Sequence, residues 1–173
     1  MRIVGGKKAG RDLAGLKDAH VRPTAEHVRT AMVDLVAAHL TDASVVDLFA
    51  GTGALGLEAI SRGAKRCDFV ETRASSLHTL KANIGLLRYK SKTRVFKQDA
   101  VPFAARLSEG AYDIAFADPP YGSRMLDHVI KSWQATRFSK VLATEHAVDH
   151  AMPKGGTTHR FDDSAVTIYQ PGE

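Results

Sequence analysis

Apolar positions change their period several times along the chain, and each change marks an element. Val28, Met32, Leu35, Val36 and Leu40 recur at helical spacing behind Thr24 as N-cap, with Glu26 in the first turn, which predicts a helix over about 25–39. The apolar, β-branched run VVDLF then predicts a buried strand at 45–49, leading into GTGALG and a helix over 54–62. The alternation repeats, with strands expected at 67–71, 94–100, 112–118 and 140–147 and helices at 74–86, 102–107 and 126–136. TTHRF (157–161) and AVTIYQ (165–170) flank Asp162-Asp163-Ser164 and predict a terminal antiparallel hairpin. Residues 1–24 lack sustained periodicity and hold four glycines and several cations, so they read as a loop or short hairpin, a basic amino-terminal extension to one domain spanning 1–173.

Strand and helix alternating this regularly predict an α/β fold, a doubly wound, mostly parallel sheet with right-handed crossovers and an antiparallel edge. Ligands in such sheets bind beyond the carboxyl ends of the strands, near the point where strand order reverses. Four acids fall at that level: Asp47 in the first strand, Glu71 ending the second, Asp99 ending the third and Asp118 ending the fourth. Any one of them could merely cap a helix. One on each of four successive strands points to a shared polar ligand.

GTGALG (51–56) satisfies G-x-G-x-x-G at a strand-to-helix turn, where glycine lets the backbone approach a ligand and the helix amino end offers free N–H groups. Glu71 follows Gly51 by 20 residues, the spacing of a carboxylate that accepts from ribose hydroxyls. The pattern fits both NAD and S-adenosylmethionine. Asp47 ahead of the glycines would repel a pyrophosphate and suit a ligand carrying a sulfonium and an ammonium. A dehydrogenase also needs a substrate domain, for which 173 residues leave no room. Asp99, followed by Ala100, is placed to hold an adenine amino group, and Phe49 or Phe103 could pack on the ring or belong to the core.

ADPPYG (117–122) is the most specific motif. An exocyclic amine conjugated with its ring is a poor nucleophile, and acceptors on both of its hydrogens pull the nitrogen toward sp³ and expose a lone pair. The Asp118 carboxylate and Pro119 carbonyl can be those acceptors, because Pro119 and Pro120 rigidify the turn, and Tyr121 offers a face on which a base can stack. Asp-Pro-Pro-Tyr here resembles the amine-polarising motif of S-adenosylmethionine-dependent amino-methyltransferases.

Charge narrows the partner. Lys plus Arg number 24 against 19 acids, and residues 62–97 alone hold ten bases against Asp68 and Glu71. The first 30 residues hold seven bases against three acids. Two basic regions suggest a polyanion, with nucleic acid foremost. Arg2, Lys7, Lys8, Arg11, Arg29, Arg88, Lys90 and Lys92 are the expected phosphate contacts. Eight histidines form no HExxH motif, so no metal is expected, and the single Cys67 excludes an internal disulfide. Short apolar runs and an amino terminus without a signal-type stretch lead us to expect a cytoplasmic protein that does not span a membrane.

MRIVGGKKAGRDL, VRPTAEHVRTAM, DLFAGTGALGLEAISRGA, LKANIGLL and DPPY, in this order, resemble the RsmD family of 16S rRNA guanine-N2 methyltransferases over residues 1–125. The resemblance implies a seven-stranded class I, Rossmann-like methyltransferase fold. It also implies S-adenosylmethionine as donor, S-adenosylhomocysteine as product, and 16S rRNA, free or within a 30S particle, as substrate of a monomer. Its motif positions fall on Asp47, Gly51 and Gly53 for the methionine moiety, Glu71 for the ribose, Asp99 for the adenine and Asp118 to Tyr121 for the target base. Arg22, Pro23, Thr24 and Arg29 match an amino-terminal motif that closes over the cofactor or touches RNA. AMVDL and RFDDSAVTIYQ depart from the family's usual pattern and bear on substrate contacts. Adenine-N6 or cytosine-N4 methylation, an NAD-dependent oxidoreductase and a non-catalytic rRNA-binding assembly factor are the alternatives.

Overall fold

A computed structural model describes residues 1–16 and 25–172. The chain runs through α1 (Glu26–Leu35), β1 (Ser44–Asp47), α2 (Ala54–Ser61), β2 (Arg66–Val70), α3 (Ala74–Leu87) and β3 (Thr93–Phe96). It continues through α4 (Ala100–Ala105), β4 (Tyr112–Ala117), α5 (Met125–Thr136), β5 (Ser139–Ala147), β6 (Gly156–Phe161) and β7 (Ser164–Tyr169). The strands form one sheet in the order β3-β2-β1-β4-β5-β7-β6. β1 to β5 are mutually parallel, whereas β7 runs antiparallel to both β5 and β6. Strand order reverses between β1 and β4, so the crevice predicted by topology opens above Asp47 and Ala117.

Side chains alternate across the pleat and feed two cores. Val45, Phe69, Ile114, Val141 and Ala143 meet α1, α2 and α3 on one face, while Val46, Val70, Ala115 and Leu142 meet α4 and α5 on the other. Trp133 anchors α5 to β5 through its indole N–H, which donates to the Ser139 carbonyl at 2.9 Å. Cys67, near the start of β2, is buried.

α2 is unusual in that Leu55 through Ser61 are all buried. A helix apolar all round needs cover on its outer side. The amino-terminal segment supplies it as a hairpin, with Arg2 and Asp12 bridged, Gly6–Lys8 forming a 3₁₀ turn, and Ile3 and Leu13 packed into the core. This hairpin is held by Glu58, whose fully buried carboxylate accepts from the backbone N–H groups of Val4 (2.9 Å) and Gly5 (2.8 Å).

Two boundaries differ from the periodicity. The helix expected over 25–39 stops at Leu35 and gives way to a 3₁₀ turn at Ala37–His39, which carries Val36 and Leu40 into the core. The strand expected over 94–100 ends at Phe96, because Asp99 accepts from the Val101 N–H at 3.0 Å and starts α4 at Ala100. Thr24, expected as the cap of α1, lies outside the described residues. Among the described residues no helix is long and apolar enough to cross a membrane.

Candidate active site

The loop leaving β1 is built from both sides. Gly51 and Gly53 adopt positive φ, +53° and +82°, and Gly53 caps α2. A Cβ on Gly53 would lie 2.3 Å from Leu80 Cδ1, whereas nothing stands within 4 Å of one on Gly51, which faces open space. A Cβ on Gly56 would strike Phe69 and Cys67 at 2.5 and 2.6 Å, so the third glycine serves close packing of helix on strand.

Asp47 lies beneath this turn, 1% exposed, with its Oδ2 accepting from the Gly56 N–H at 3.1 Å. Burial pushes its carboxyl up to about 7; the Gly56 N–H opposes that rise and the charge of Glu71 adds to it. Glu71 ties the turn to the end of β2: one oxygen accepts from Gly51 N–H at 2.9 Å, the other from Thr72 and Arg73 N–H at 2.7 and 2.8 Å. The opposite side is clipped by Asn83 of α3, which donates to the Thr52 carbonyl (3.0 Å) and pairs with the backbone of Ala14 (2.8 and 3.1 Å).

Asp99 lies exposed at the head of α4, and Ala100 and Phe103 belong to the second core, with Phe49 packed against it. On the other side of the switch point, Asp118 follows β4 directly. The turn after it is closed by Ser123, whose hydroxyl donates to the Pro120 carbonyl at 2.9 Å. Pro119 is buried, Pro120 exposed, and the Tyr121 ring is 41% exposed with its hydroxyl donating to Glu145 Oε1 at 2.9 Å. Pro119, Pro120, Tyr121, Leu126, Glu145 and His146 line a small cleft there. A second hollow, at His39, Asp42, Asp113 and Lys140, lies at the other end of the strands and shares none of these groups.

The expected site residues are thus divided. Asp47, Gly51, Gly53 and Glu71 converge on one turn, and Asp118 to Tyr121 face it across the switch point. Arg22 and Thr24 lie outside the described residues. Arg29 requires correction: it is 1% exposed, its guanidinium facing the buried Glu58 carboxylate (4.0 Å), so it is no surface contact for phosphate. Its spacing with Val28 and Met32 put it on the buried face of α1, and Glu58 compensates its charge. Of the remaining cations, Lys7, Lys8, Arg88, Lys90 and Lys92 gather at the amino ends of the strands, opposite the crevice. Lys8 and Lys92 approach the Tyr89 ring at 5.8 and 6.0 Å. Sequence reasoning gave no role to Glu58, Asn83 or Glu145. A lone acid inside ALGLEAI and an amide inside LKANIGLL were the available signals for the first two. Glu145, in a strand end with no recognised motif, gave none.

Among the described residues no group of three or more His, Cys, Asp or Glu could hold a metal ion. The strand order, the glycine turn at the switch point and the Asp-Pro-Pro-Tyr turn define the class I, Rossmann-like methyltransferase fold. Residues 1–164 match the family model described as conserved hypothetical protein 95. The ribosomal RNA small subunit methyltransferase D of Escherichia coli K12 is 32% identical over 88% of this chain and 78% of its own. Its namesake in Haemophilus influenzae is 30% identical over 98% and 92%. The solved structure of the Escherichia coli protein yhhF superimposes with a TM-score of 0.83 at 30% identity, covering 98% of this chain and 97% of its own. The chain belongs to this conserved family, that of the RsmD methyltransferases.

Proposed function

We propose that the protein methylates the exocyclic N2 amine of a guanine in small-subunit ribosomal RNA, with S-adenosylmethionine as donor. The observation that carries this reading is that Asp118-Pro-Pro-Tyr follows β4 directly beside the glycine turn after β1, at the strand-order reversal, with the Tyr121 ring 41% exposed. The family relatives named ribosomal RNA small subunit methyltransferase D support the substrate class.

The residues around the turn fit the donor. Open space beside Gly51 admits a ligand against backbone, and the buried Asp47 gains from a cationic neighbour, which would favour its ionised form. Glu71 stands where ribose hydroxyls could add to its backbone donors, and Asp99 and Ala100 flank the place for the adenine. When bound, the donor supplies an electrophilic methyl on a sulfonium. Asp118 and the Pro119 carbonyl accept the two amine hydrogens and aim the nitrogen lone pair, Tyr121 stacks the base, and the turn between Pro119 and Ser123 holds their angles. Alignment of this kind is worth up to about 7–11 kcal/mol. Extruding a base costs a few kcal/mol, less from a loop, so a looped RNA segment is the preferred target.

The test is incubation with labelled S-adenosylmethionine and unmodified small-subunit rRNA or 30S particles, followed by nucleoside mapping. Label on guanine N2 is expected, and Asp118→Ala should lower turnover by about a hundredfold or more with donor affinity nearly kept. Label on adenine N6 or cytosine N4, or normal turnover in the variant, would reject the reading.

A further inference from the structure

Tyr121 sits on a turn that also contains Gly122 at φ +76° and leaves the ring 41% exposed. An aromatic ring so placed can swing through several rotamers, and a base stacked on it would swing too. Its hydroxyl end, however, is tied down. It reaches back over the sheet to β5, where it donates to Oε1 of Glu145 at 2.9 Å, and the Ser164 hydroxyl of β7 donates to the phenol oxygen itself. Glu145 is only 4% exposed. It occupies the position after Thr144, the residue of β5 that pairs with Ala117, so it stands level with Asp118 on the neighbouring strand. On its other flank it pairs with Val166 of β7. A carboxylate held between two strands is a rigid anchor, and a hydrogen bond to it is of the strong, charge-assisted kind.

We propose that Glu145 is a positioning residue for methyl transfer, fixing the Tyr121 ring as a stacking platform at the height and tilt that bring a base amine to Asp118 and Pro119. It acts through the tyrosine hydroxyl and touches neither base nor donor. The inference rests on the amine-methylation reading above. It also explains why a tyrosine, and not a phenylalanine, closes the motif in this chain: the ring alone could stack, but only the phenol can be tied down. Burial, then the Glu145 charge and hydrogen bond, push the Tyr121 phenol up to about 12, so the hydroxyl stays a donor at every working pH.

The experiment compares Glu145→Gln, Tyr121→Phe and the double variant in the full chain. Donor affinity, measured by calorimetry, should be unchanged in all three. Methyl transfer to small-subunit rRNA should fall about ten- to a hundredfold in kcat in each single variant, with KM for RNA changed less, because alignment and not encounter is lost. The double variant should be no worse than Tyr121→Phe alone, since both changes cut one tether. A second readout needs no activity. In protein labelled with 3-fluorotyrosine, whose phenol ionises at lower pH than tyrosine's, the ¹⁹F resonance lost in Tyr121→Phe identifies the ring. Its titration midpoint should drop by about one pH unit in Glu145→Gln. An unchanged midpoint, or a double variant in which the two losses multiply, would overturn the proposal. A lowered midpoint in a protein that transfers no methyl to RNA would uphold the tether and refute the reading on which its catalytic role depends.

Discussion

At the scale of single residues, the site is distinguished by carboxylates whose surroundings give them different tasks. Asp47 is sealed from water, Glu71 is held by three backbone donors, Asp99 begins a helix, and Glu145 holds a phenol. Asp47 has a measurable consequence. Its carboxyl is raised to about 7 in the folded chain and returns to the ordinary carboxylate range on unfolding, so between those values the folded state holds a proton that the unfolded state releases. Stability of the ligand-free protein is therefore greatest at the acid end of that window. It declines by at most about 1.4 kcal/mol per pH unit as pH rises toward 7, and levels off above it. Denaturant titrations from pH 4.5 to 8.5 should show this decline in the wild type and lack it in Asp47→Asn, where the amide oxygen can still accept from Gly56. Parallel profiles would refute the assignment. Arg29 supplies a second test. Replacing it with Ala removes its bond to the Arg2 carbonyl and empties a filled site beneath the amino-terminal hairpin, while Glu58 keeps Arg62 at 2.8 Å; this should cost about 2 kcal/mol of stability, with RNA affinity per folded molecule unchanged. A loss of RNA affinity at unchanged stability would return Arg29 to the surface.

Among the elements, what sequence pattern could and could not convey separates cleanly. Strands β1, β2 and β4 are legible because each is mostly apolar and buried on both faces, and the acids at their carboxyl ends stand out by contrast. The end of β3 was misjudged, since Val95, Phe96 and the cap at Asp99 form one apolar-to-polar gradient in sequence. Only the Asp99 hydrogen bond to Val101 separates strand from helix there. The amino-terminal hairpin could be guessed as such, but its docking could not. Its anchor, Glu58, lies more than fifty residues away, inside a helix whose apolar surround reads as ordinary core. The same holds for the glycine turn. Its conformation follows from the glycines, while its fixation by Asn83 and Glu71 depends on contacts across three elements that periodicity does not encode. The tether from Tyr121 to Glu145 is the extreme case, joining a recognised motif to a residue that no pattern marks.

Across the whole molecule, the acids of the crevice and the bases expected to meet phosphate lie at opposite ends of the strands. The carboxyl ends of the strands carry Asp47, Glu71, Asp99 and Asp118, an environment suited to a cationic donor and unwelcoming to phosphate. Lys7, Lys8, Arg88, Lys90 and Lys92 lie at the other pole, and among the described residues none of these five forms an ion pair with a carboxylate. α3, 14 residues long, spans the distance between the poles, about 20 Å at 1.5 Å per residue. RNA docked on those cations would have to extend along the body of the protein to deliver a base to the crevice. Changing Lys7, Lys8, Lys90 and Lys92 to Glu should weaken binding of long small-subunit rRNA and flatten its dependence on salt, by a slope of about 0.7–0.9 for each phosphate contact removed. Donor affinity should be untouched. Filter binding across a series of salt concentrations reads both, and an unaltered slope would show that the RNA docks elsewhere.

The position of β7 carries one more consequence. The ribosome makes the chain in order, yet this late strand lies inside the sheet, between β5 and an edge strand synthesised before it. A nascent chain halted before Ser164 has β5 exposed along a whole flank, with the carboxylate that steadies the tyrosine open to water. The sheet therefore closes around Glu145 only after every strand that carries the crevice has been made, so truncation ahead of β7 should loosen the Tyr121 side of the crevice before the glycine turn.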